Sequence, residues 1–253
     1  MKRKSYSGEN IRINLSYLLA KYLSKNKYAT IKLKNRLKYI IRPDSMDKSV
    51  LKDIWQKEIY NKFDVSVEAG DTVIDIGAHI GVFSVYASKL CDNGQVFALE
   101  PFVKNYELLL KNKDLNSANN LSVFNVGCSG NSGSQTLYIS QDRNTGGHSM
   151  HLKTQSVETI KIETVKLSEF CKEQNINKID FLKMDCEGAE FEILQSDESV
   201  LNFVNKIAME CHPYDKYSGE TIVSILKKYD FDVFLENQKL QSKQFMIYGK
   251  KKN

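Results

Sequence analysis

Ionisable side chains recur at alternate positions where two predicted strands end. Lys183, Asp185 and Glu187 form the first set. Glu210 and His212 form the second. Side chains two positions apart on a strand share a face, so each set should point to one side. Such groups at a buried strand end are costly unless paired or functional. They predict either an ion-pair network or a site that can take a proton from a substrate.

A glycine-rich segment, Asp-Ile-Gly-Ala-His-Ile-Gly at 75–81, lies where a predicted strand changes into a predicted helix. Glycines there let the backbone approach a ligand, and the first helical turn offers unpaired N–H groups. A tight turn that binds nothing is also compatible with these glycines. The segment lacks the GxGxxG pattern of dinucleotide sites. Asp75 would repel a pyrophosphate but attract an aminoacyl group and a sulfonium.

An acid, Glu100, follows the next predicted strand and stands 19 positions after Gly81. At this edge of a parallel sheet, a carboxylate is placed to accept hydrogen bonds from both hydroxyls of a ribose. The alternative is a solvated surface acid. The apolar residues 97–99 directly before Glu100 favour the strand end.

The elements that must position these residues alternate between strand and helix. Alternation at this spacing predicts parallel strands joined by right-handed crossovers. The interval 128–165 breaks the alternation, and its polar loop at 141–155 predicts a cap on the substrate side. Helices are predicted at 80–90 and 103–113 and after each of the last two strands of the alternation. Strands are predicted at 72–76, 95–99, 121–126, 135–139, 178–184 and 206–209, with a C-terminal β-hairpin at 231–236 and 244–248.

The first 65 residues predict a basic extension before the main domain at 66–253, built from a helix at 9–25, a β-hairpin at 30–42 and a helix that runs to about residue 60. Residues 1–42 hold 12 Lys and Arg and one acid, whereas the rest of the chain holds 24 bases and 30 acids. Such an arm predicts either an anionic partner (membrane headgroups, a phosphorylated substrate or nucleic acid) or a solubilising appendage.

The composition is that of a globular protein, with 42% hydrophobic and 26% charged residues in 253. No stretch approaches the ~20 apolar residues of a membrane span. The basic start lacks the apolar run of a signal peptide, and five cysteines form no CxxC pair, so a reducing, cytoplasmic setting is expected. His148 and His151 lie on a polar loop without a third obvious ligand, so no metal site is expected.

Four segments together resemble the FkbM family of S-adenosylmethionine-dependent methyltransferases. They are the turn at 75–81, Glu-Pro at 100–101, Ile-Asp-Phe-Leu-Lys-Met-Asp-Cys-Glu-Gly-Ala-Glu at 179–190 and Glu-Cys-His at 210–212. The third is the specific one, and the resemblance covers roughly residues 70–212. It implies an α/β fold of the Rossmann-like class I methyltransferase type: a mostly parallel seven-stranded sheet that ends in an antiparallel hairpin.

The resemblance also implies S-adenosylmethionine as cofactor and a hydroxyl of a glycan or small molecule as acceptor. Asp75 and Gly77 would position the aminoacyl part of the cofactor, Glu100 its ribose and the segment 126–128 its adenine. The implied catalytic residues are His212, Asp185, Glu210 and Lys183. The implied cofactor-binding residues are Asp75, Gly77, Ala78, His79, Gly81, Glu100, Pro101, Val126, Gly127, Cys128 and Asp185.

His212 is predicted as the general base, because a histidine titrates near neutral pH. Asp185 or Glu210 could orient it or act in its place, and His212 could instead only bind a neighbouring loop. Two other functions stay open at this point. One is a nicotinamide-dependent oxidoreductase. The other is an RNA- or lipid-binding protein with an idle cofactor fold, or an RNA methyltransferase that uses the basic arm.

Overall fold

The computed structural model describes residues 27–140, 145–151, 158–214, 218–236 and 244–252. The helix predicted at 9–25 and parts of the loop predicted at 141–155 lie outside the described residues. Within those ranges, none of the helices has the length and hydropathy that a membrane-spanning helix needs.

The described elements follow the predicted alternation in chain order. The helices are α1 (Asp47–Trp55), α2 (Val82–Leu90), α3 (Val103–Leu115), α4 (Leu167–Glu173), α5 (Ala189–Ser196) and α6 (Gly219–Lys228), with a 3₁₀ helix at Glu198–Phe203. The strands are β1 (Ala29–Lys32), β2 (Lys38–Ile41), β3 (Thr72–Ile76), β4 (Gln95–Leu99), β5 (Leu121–Phe124), β6 (Gly127–Cys128), β7 (Gly133–Tyr138), β8 (Thr159–Val165), β9 (Ile179–Met184), β10 (Val204–Cys211), β11 (Phe231–Leu235) and β12 (Phe245–Lys251).

The central sheet has seven strands in the order β11-β12-β10-β9-β3-β4-β5. The five strands from β10 to β5 are parallel to their neighbours, whereas β12 runs antiparallel to both β10 and β11. The predicted mostly parallel sheet with a C-terminal antiparallel hairpin is therefore confirmed. The order reverses beside β3, and open α/β sheets bind ligands at such a point.

The register of this sheet brings the predicted site residues to one edge. Ile76, the last residue of β3, is paired with Leu99 of β4 and with Met184 of β9. The next residues of the three strands, Gly77, Glu100 and Asp185, consequently emerge side by side.

Alternate side chains of the central strands enter two different hydrophobic cores. Val73, Ala98 and Phe181 face the core that includes α2 and the N-terminal hairpin. Ile74 and Leu182 face the opposite core, which includes α4, α5 and α6. Both faces of the parallel strands are thus covered, which explains their nearly continuous apolar sequences.

The N-terminal hairpin and α1 pack against the main domain. Trp55 of α1 is completely buried. Asn112 and Asn116 of α3 lie one turn apart and extend the edge of β2 with their side-chain amides. Asn112 accepts from the Ile40 N–H at 2.7 Å and donates to the Ile40 carbonyl at 3.1 Å. Asn116 does the same for Lys38 at 2.9 and 2.7 Å. The division of the chain at residue 65 stays a prediction.

Several predicted elements differ in extent, and others were missed. The strand predicted at 121–126 ends at Phe124, because Gly127–Cys128 pairs with β8 in a separate three-stranded sheet. The helix predicted from residue 80 begins at Val82, since Gly81 has a left-handed backbone at φ 79°. The helix predicted to run to residue 60 ends at Trp55. The strand β8 and the helix α4 had no counterpart in the prediction.

Candidate active site

A cavity of about 660 Å³ opens where β3, β4, β9 and β10 end. That volume lies within the range of ~300–1,000 Å³ typical of small-molecule sites. Side chains from α1, from the small sheet and from the C-terminal hairpin complete the wall, among them Val50, Leu137 and Met246. The predicted cap interval and the N-terminal elements thus face the same space as the strand ends.

Gly77, which follows β3, lies directly against the backbone that follows β9. Its φ is +75°, and a Cβ at this position would lie 1.8 Å from the carbonyl oxygen of Asp185. The Asp185 N–H donates to the Ile76 carbonyl at 3.1 Å beside it. Only glycine fits here, so this glycine holds two strand ends together and places the Asp185 backbone next to the turn.

Asp75 does not reach the cavity, which corrects its predicted contact with the cofactor. Its side chain is completely buried, accepts a hydrogen bond from Ser84 at 2.6 Å and lies 3.0 Å from the Lys183 Nζ. Lys183 also donates to the Gly77 carbonyl at 2.7 Å. Burial lowers the pKa of Lys183, but the Asp75 and Asp185 carboxylates raise it by more, so the pKa of Lys183 lies above its ordinary value. The pair of Asp75 and Lys183 thus stabilises the glycine-rich turn through the bond to the Gly77 carbonyl.

Glu100 lies in the cavity wall with a nearly buried carboxylate. It accepts hydrogen bonds from the His79 N–H at 2.7 Å and the Phe102 N–H at 2.9 Å. Burial raises the pKa of Glu100 to about 7, although these N–H donors and Asn105 oppose that shift. The bonds fix the carboxylate at the end of β4 and tie it to the glycine-rich turn.

His79 connects the glycine-rich turn to the N-terminal hairpin. Arg42 donates to its Nε2 at 3.0 Å, and the nearest Asp47 oxygen lies 3.4 Å from the same atom. The Thr145 hydroxyl of the cap loop is 3.1 Å away. Burial, with the charges of Arg42 and Lys183, outweighs the carboxylates of Asp47 and Asp185 and lowers the pKa of His79 to about 4. His79 is therefore neutral in the folded protein near pH 7.

His212, which follows β10, also lines the cavity, with its imidazole between two acids. Its Nδ1 is 3.3 Å from Glu190 Oε1, and its Nε2 is 3.6 Å from Glu187 Oε2. Burial lowers the pKa of His212, but the carboxylates of Glu190, Glu187 and Asp185 raise it to about 10. An imidazole that carries a proton at neutral pH is poorly placed to accept another. This disfavours the role of general base that an ordinary histidine pKa predicted.

Glu187 and Glu210 complete an acidic wall around Asp185 and His212. Burial raises the pKa of Glu187 to about 7, and burial with the nearby Asp185 raises that of Glu210 to about 8. The sequence analysis placed Glu187 on this side of the strand but gave it no role. Lys183 is engaged with Asp75, so the wall holds more acidic than basic side chains.

Tyr60, which follows α1, was missed as a site residue. Its hydroxyl donates to Asp185 Oδ2 at 2.9 Å, and its ring lies 5.4 Å from the Lys183 Nζ. A tyrosine 125 positions away from its partner gives no local signal in the sequence. The N-terminal elements therefore orient a residue of the strand-end motif.

The predicted site residues divide into those that line the cavity and those that support it. Asp75, Gly81 and Val126 do not line it. A Cβ at Gly81 would meet Leu109 at 2.7 Å, so this glycine serves helix packing, while Val126 packs against the core that contains α4. The predicted residues in the cavity wall are Gly77, Ala78, His79, Glu100, Pro101, Gly127, Cys128, Lys183, Asp185, Glu210 and His212.

A family model described as the methyltransferase FkbM domain matches residues 75–233, more than half of the chain. The chain belongs to the FkbM methyltransferase family. The resemblance seen in the sequence motifs is confirmed, and this FkbM protein uses S-adenosylmethionine, the cofactor of its family. A nicotinamide-dependent oxidoreductase is not supported.

Curated relatives of this FkbM methyltransferase are identical to it at about a quarter of the aligned positions. The methyltransferase sdnD of Sordaria araneosa is 23% identical and aligns over 84% of this chain and 93% of its own length. The hexuronic acid methyltransferase AglP of Haloferax volcanii is 25% identical over 64% of this chain and 67% of its own. A solved O-methyltransferase from Thermotoga maritima shares 14% identity and a TM-score of 0.47 over 92% of this chain and 81% of that one.

Proposed function

We propose that this protein transfers a methyl group from S-adenosylmethionine to a hydroxyl group of a sugar or another small molecule. The observation that carries the proposal is one cavity whose wall joins two kinds of group. The glycine-rich turn and Glu100 follow β3 and β4, and the acids Asp185, Glu187 and Glu210 follow the neighbouring strands β9 and β10. A methyl transferase needs this combination of a cofactor site and a proton acceptor in one enclosure.

The residues around the glycine-rich turn and Glu100 fit the cofactor. S-adenosylmethionine, when bound, supplies an electrophilic methyl group on a positively charged sulfonium. Glu100 would accept hydrogen bonds from the ribose, Gly77 and Ala78 would contact the aminoacyl part, and Gly127 and Cys128 would flank the adenine. The acidic side chains beside Asp185 complement the charge of the sulfonium.

The acidic residues that follow β9 and β10 would hold and activate the acceptor. Glu210 lines the cavity, and no residue in the described part of the chain donates a hydrogen bond to its carboxylate. We therefore assign the proton transfer to Glu210 rather than to His212, whose Nδ1 is engaged by Glu190. A hydroxyl oxygen held ~3–3.5 Å from the methyl carbon can attack in line. A bound acceptor hydroxyl would give its proton to the Glu210 carboxylate as its oxygen takes the methyl group from sulfur. Because the pKa of Glu210 is about 8, the ionised form that can accept this proton, and with it the rate, should increase as the pH rises through that value.

The charge of the wall favours a hydroxyl over a carboxylate as the methylated group. The relative AglP is named a hexuronic acid methyltransferase, and a sugar acid offers both kinds of oxygen. A carboxylate needs no base, and it would add a further negative charge to a wall in which burial and neighbouring acids already raise the pKa of Glu187 and Glu210. A hydroxyl is neutral and must lose a proton, and a carboxylate in this wall can accept that proton as a general base.

The test is methyl transfer from labelled S-adenosylmethionine to a neutral glycoside, a uronic acid glycoside and the methyl ester of that uronic acid. We expect label in a methyl ether, which resists mild alkali. Glu210→Gln should slow transfer by about 10²–10⁴-fold, the usual worth of a general base. Cofactor affinity in calorimetry should stay nearly unchanged.

The matched control is Glu173→Gln, which changes an exposed acid at the end of α4 outside the cavity. It should leave the rate as it is. Label that mild alkali releases would identify a carboxylate acceptor and contradict the proposal. An unaltered rate in Glu210→Gln would contradict the role of Glu210.

A further inference from the structure

The acidic wall contains a set of groups with the spacing of metal ligands. Asp185 and Glu187 follow β9, and His212 follows β10. One ligand atom from each of the three lies within 4.8 Å of the other two. Around an octahedral cation with bonds of about 2.1 Å, adjacent ligands are separated by about 3 Å and opposite ones by about 4 Å. The three atoms need only small side-chain adjustments to meet one ion.

The orientation of His212 is the one that a metal-binding histidine requires. Glu190 Oε1 lies 3.3 Å from Nδ1, and this carboxylate is fixed by the N–H groups of Cys186 at 2.8 Å and Gly188 at 2.9 Å. Glu190 is completely buried, and His212 is 7% exposed. Metal-ligating histidines commonly donate their second ring N–H to a carboxylate in this way. The other nitrogen, Nε2, faces Glu187 and makes no hydrogen bond to a described residue.

A second contact orients Asp185. Tyr60 donates to its Oδ2 at 2.9 Å, which leaves Oδ1 for another partner. A ligating carboxylate is typically held by such an outer hydrogen bond. Two of the three candidate ligands are thus held by buried groups that come from other elements of the fold.

The charge around these groups also calls for a cation. The carboxylates of Asp185, Glu187, Glu190 and Glu210 surround one imidazole, and Lys183 is paired with Asp75. A divalent cation would neutralise this wall more completely than the single proton on His212. Carboxylates and water suit Mg²⁺ and Mn²⁺, and imidazole is a good ligand for first-row metals.

We propose that Asp185, Glu187 and His212 bind one divalent cation of the Mg²⁺ or Mn²⁺ type in the wall of the cavity. Three protein ligands leave positions open for water or for oxygen atoms of an acceptor. The cation would position an acceptor hydroxyl beside Glu210 and make its proton easier to remove. This role rests on the proposed function, whereas the binding of the cation does not. The prediction of no metal site rested on His148 and His151 alone.

The test titrates the full chain, freed of metal with a chelator, with MnCl₂ alone. Calorimetry and electron paramagnetic resonance measure binding without cofactor or acceptor. We expect one Mn²⁺ per chain in the wild type. Glu187→Gln and His212→Gln should abolish this binding. Glu190→Gln, which alters only the outer contact, should weaken it by about 10–100-fold.

The matched control is His151→Gln, which removes an imidazole that pairs with Glu192 at 2.8 Å on a nearby loop. It should bind Mn²⁺ like the wild type. Thermal melts identify any variant that fails to fold, and the double variant Asp185→Asn with Glu187→Gln then provides the decisive loss in a folded protein. No binding of Mn²⁺ by the wild type at millimolar concentration, or unchanged binding in the folded double variant, would overturn the site.

The outcome is separable from that of the proposed function. Mn²⁺ bound as expected, in a protein that methylates no hydroxyl, would support the site and refute the proposed acceptor. Hydroxyl methylation at an unchanged rate in chelator, by a protein that binds no Mn²⁺, would refute the site and keep the proposed function.

Discussion

Replacing Gly77 with alanine should be far more damaging than the same change at Gly70, although both glycines have a left-handed backbone. Their φ values are +75° and +86°. At Gly70 an added Cβ would meet nothing within 4 Å. At Gly77 it would lie 1.8 Å from the Asp185 carbonyl oxygen, far inside the 3.0 Å that real Cβ contacts respect. The pair therefore separates backbone strain from the close approach of two strands.

The magnitude follows from these two contributions. A left-handed alanine costs about 1–2 kcal/mol at either position. Gly77→Ala must also push β9 away from β3 by more than 1 Å, judged from the 1.8 Å and 3.0 Å separations. Overpacking of this kind costs about 1–3 kcal/mol, and loss of the Asp185 to Ile76 hydrogen bond costs about 1 kcal/mol. We expect Gly77→Ala to lose at least about 2 kcal/mol more than Gly70→Ala.

Thermal denaturation and calorimetry measure the two consequences. For a chain of this size, about 2 kcal/mol corresponds to a melting temperature lower by roughly 4–8 °C. Gly77→Ala should also lose affinity for S-adenosylmethionine, because the displaced turn belongs to the cavity wall. Gly70→Ala should retain it. Equal melting temperatures for the two variants, or full cofactor affinity in Gly77→Ala, would refute the assignment of Gly77 to the close approach.

Three further substitutions test the supporting contacts. The pKa of His79 is about 4 in the folded protein, so between pH 6.5 and 4 the unfolded chain binds a proton that the folded protein does not, and the wild type should lose about 3 kcal/mol of stability over this range. His79→Asn should remove most of this loss. A pH series of melting temperatures that keeps the slope of the wild type would contradict this. Tyr60→Phe removes the donor to Asp185 and should cost about 1 kcal/mol in denaturant unfolding and slow methyl transfer; an unchanged initial rate would exclude a positioning role. Lys183→Met should lower the free energy of unfolding by about 3–5 kcal/mol, because it leaves the buried Asp75 carboxylate unpaired. Adding Asp75→Asn to Lys183→Met should recover part of that loss. Purely additive effects of the two substitutions would argue against the pair.

The fold was predictable where the strands are continuous apolar runs. The strands predicted at 72–76 and 95–99 match β3 and β4 residue for residue. Both are buried on two faces and therefore read as continuous apolar runs. The strand β8 is different, because its sequence alternates between exposed and buried positions in the middle of a small three-stranded sheet. Polar residues flank it, so its pattern was lost in the irregular interval.

The motif residues of the site were predictable, and the contacts that orient them were not. Glu100, Asp185 and His212 each follow a buried strand, and the parallel sheet brings such positions to one edge. Tyr60 and Arg42 reach the site only because the N-terminal elements pack over that edge. Contacts at sequence separations of 125 and 37 residues depend on tertiary packing, which no local pattern encodes.

The buried pair of Asp75 and Lys183 shows how a correct motif can carry an incorrect role. The sequence argument treated Asp75 as a free carboxylate whose charge would select a sulfonium over a pyrophosphate. In the fold its charge is matched by Lys183, which is bonded in turn to the Gly77 carbonyl. The turn is therefore close to neutral, and further acids, Asp185, Glu187 and Glu210, line the neighbouring wall at the ends of β9 and β10. That wall, rather than Asp75, should therefore discriminate between cationic and anionic ligands. Substitutions in the wall should change which ligands bind, whereas substitutions of Asp75 or Lys183 should change whether the turn forms.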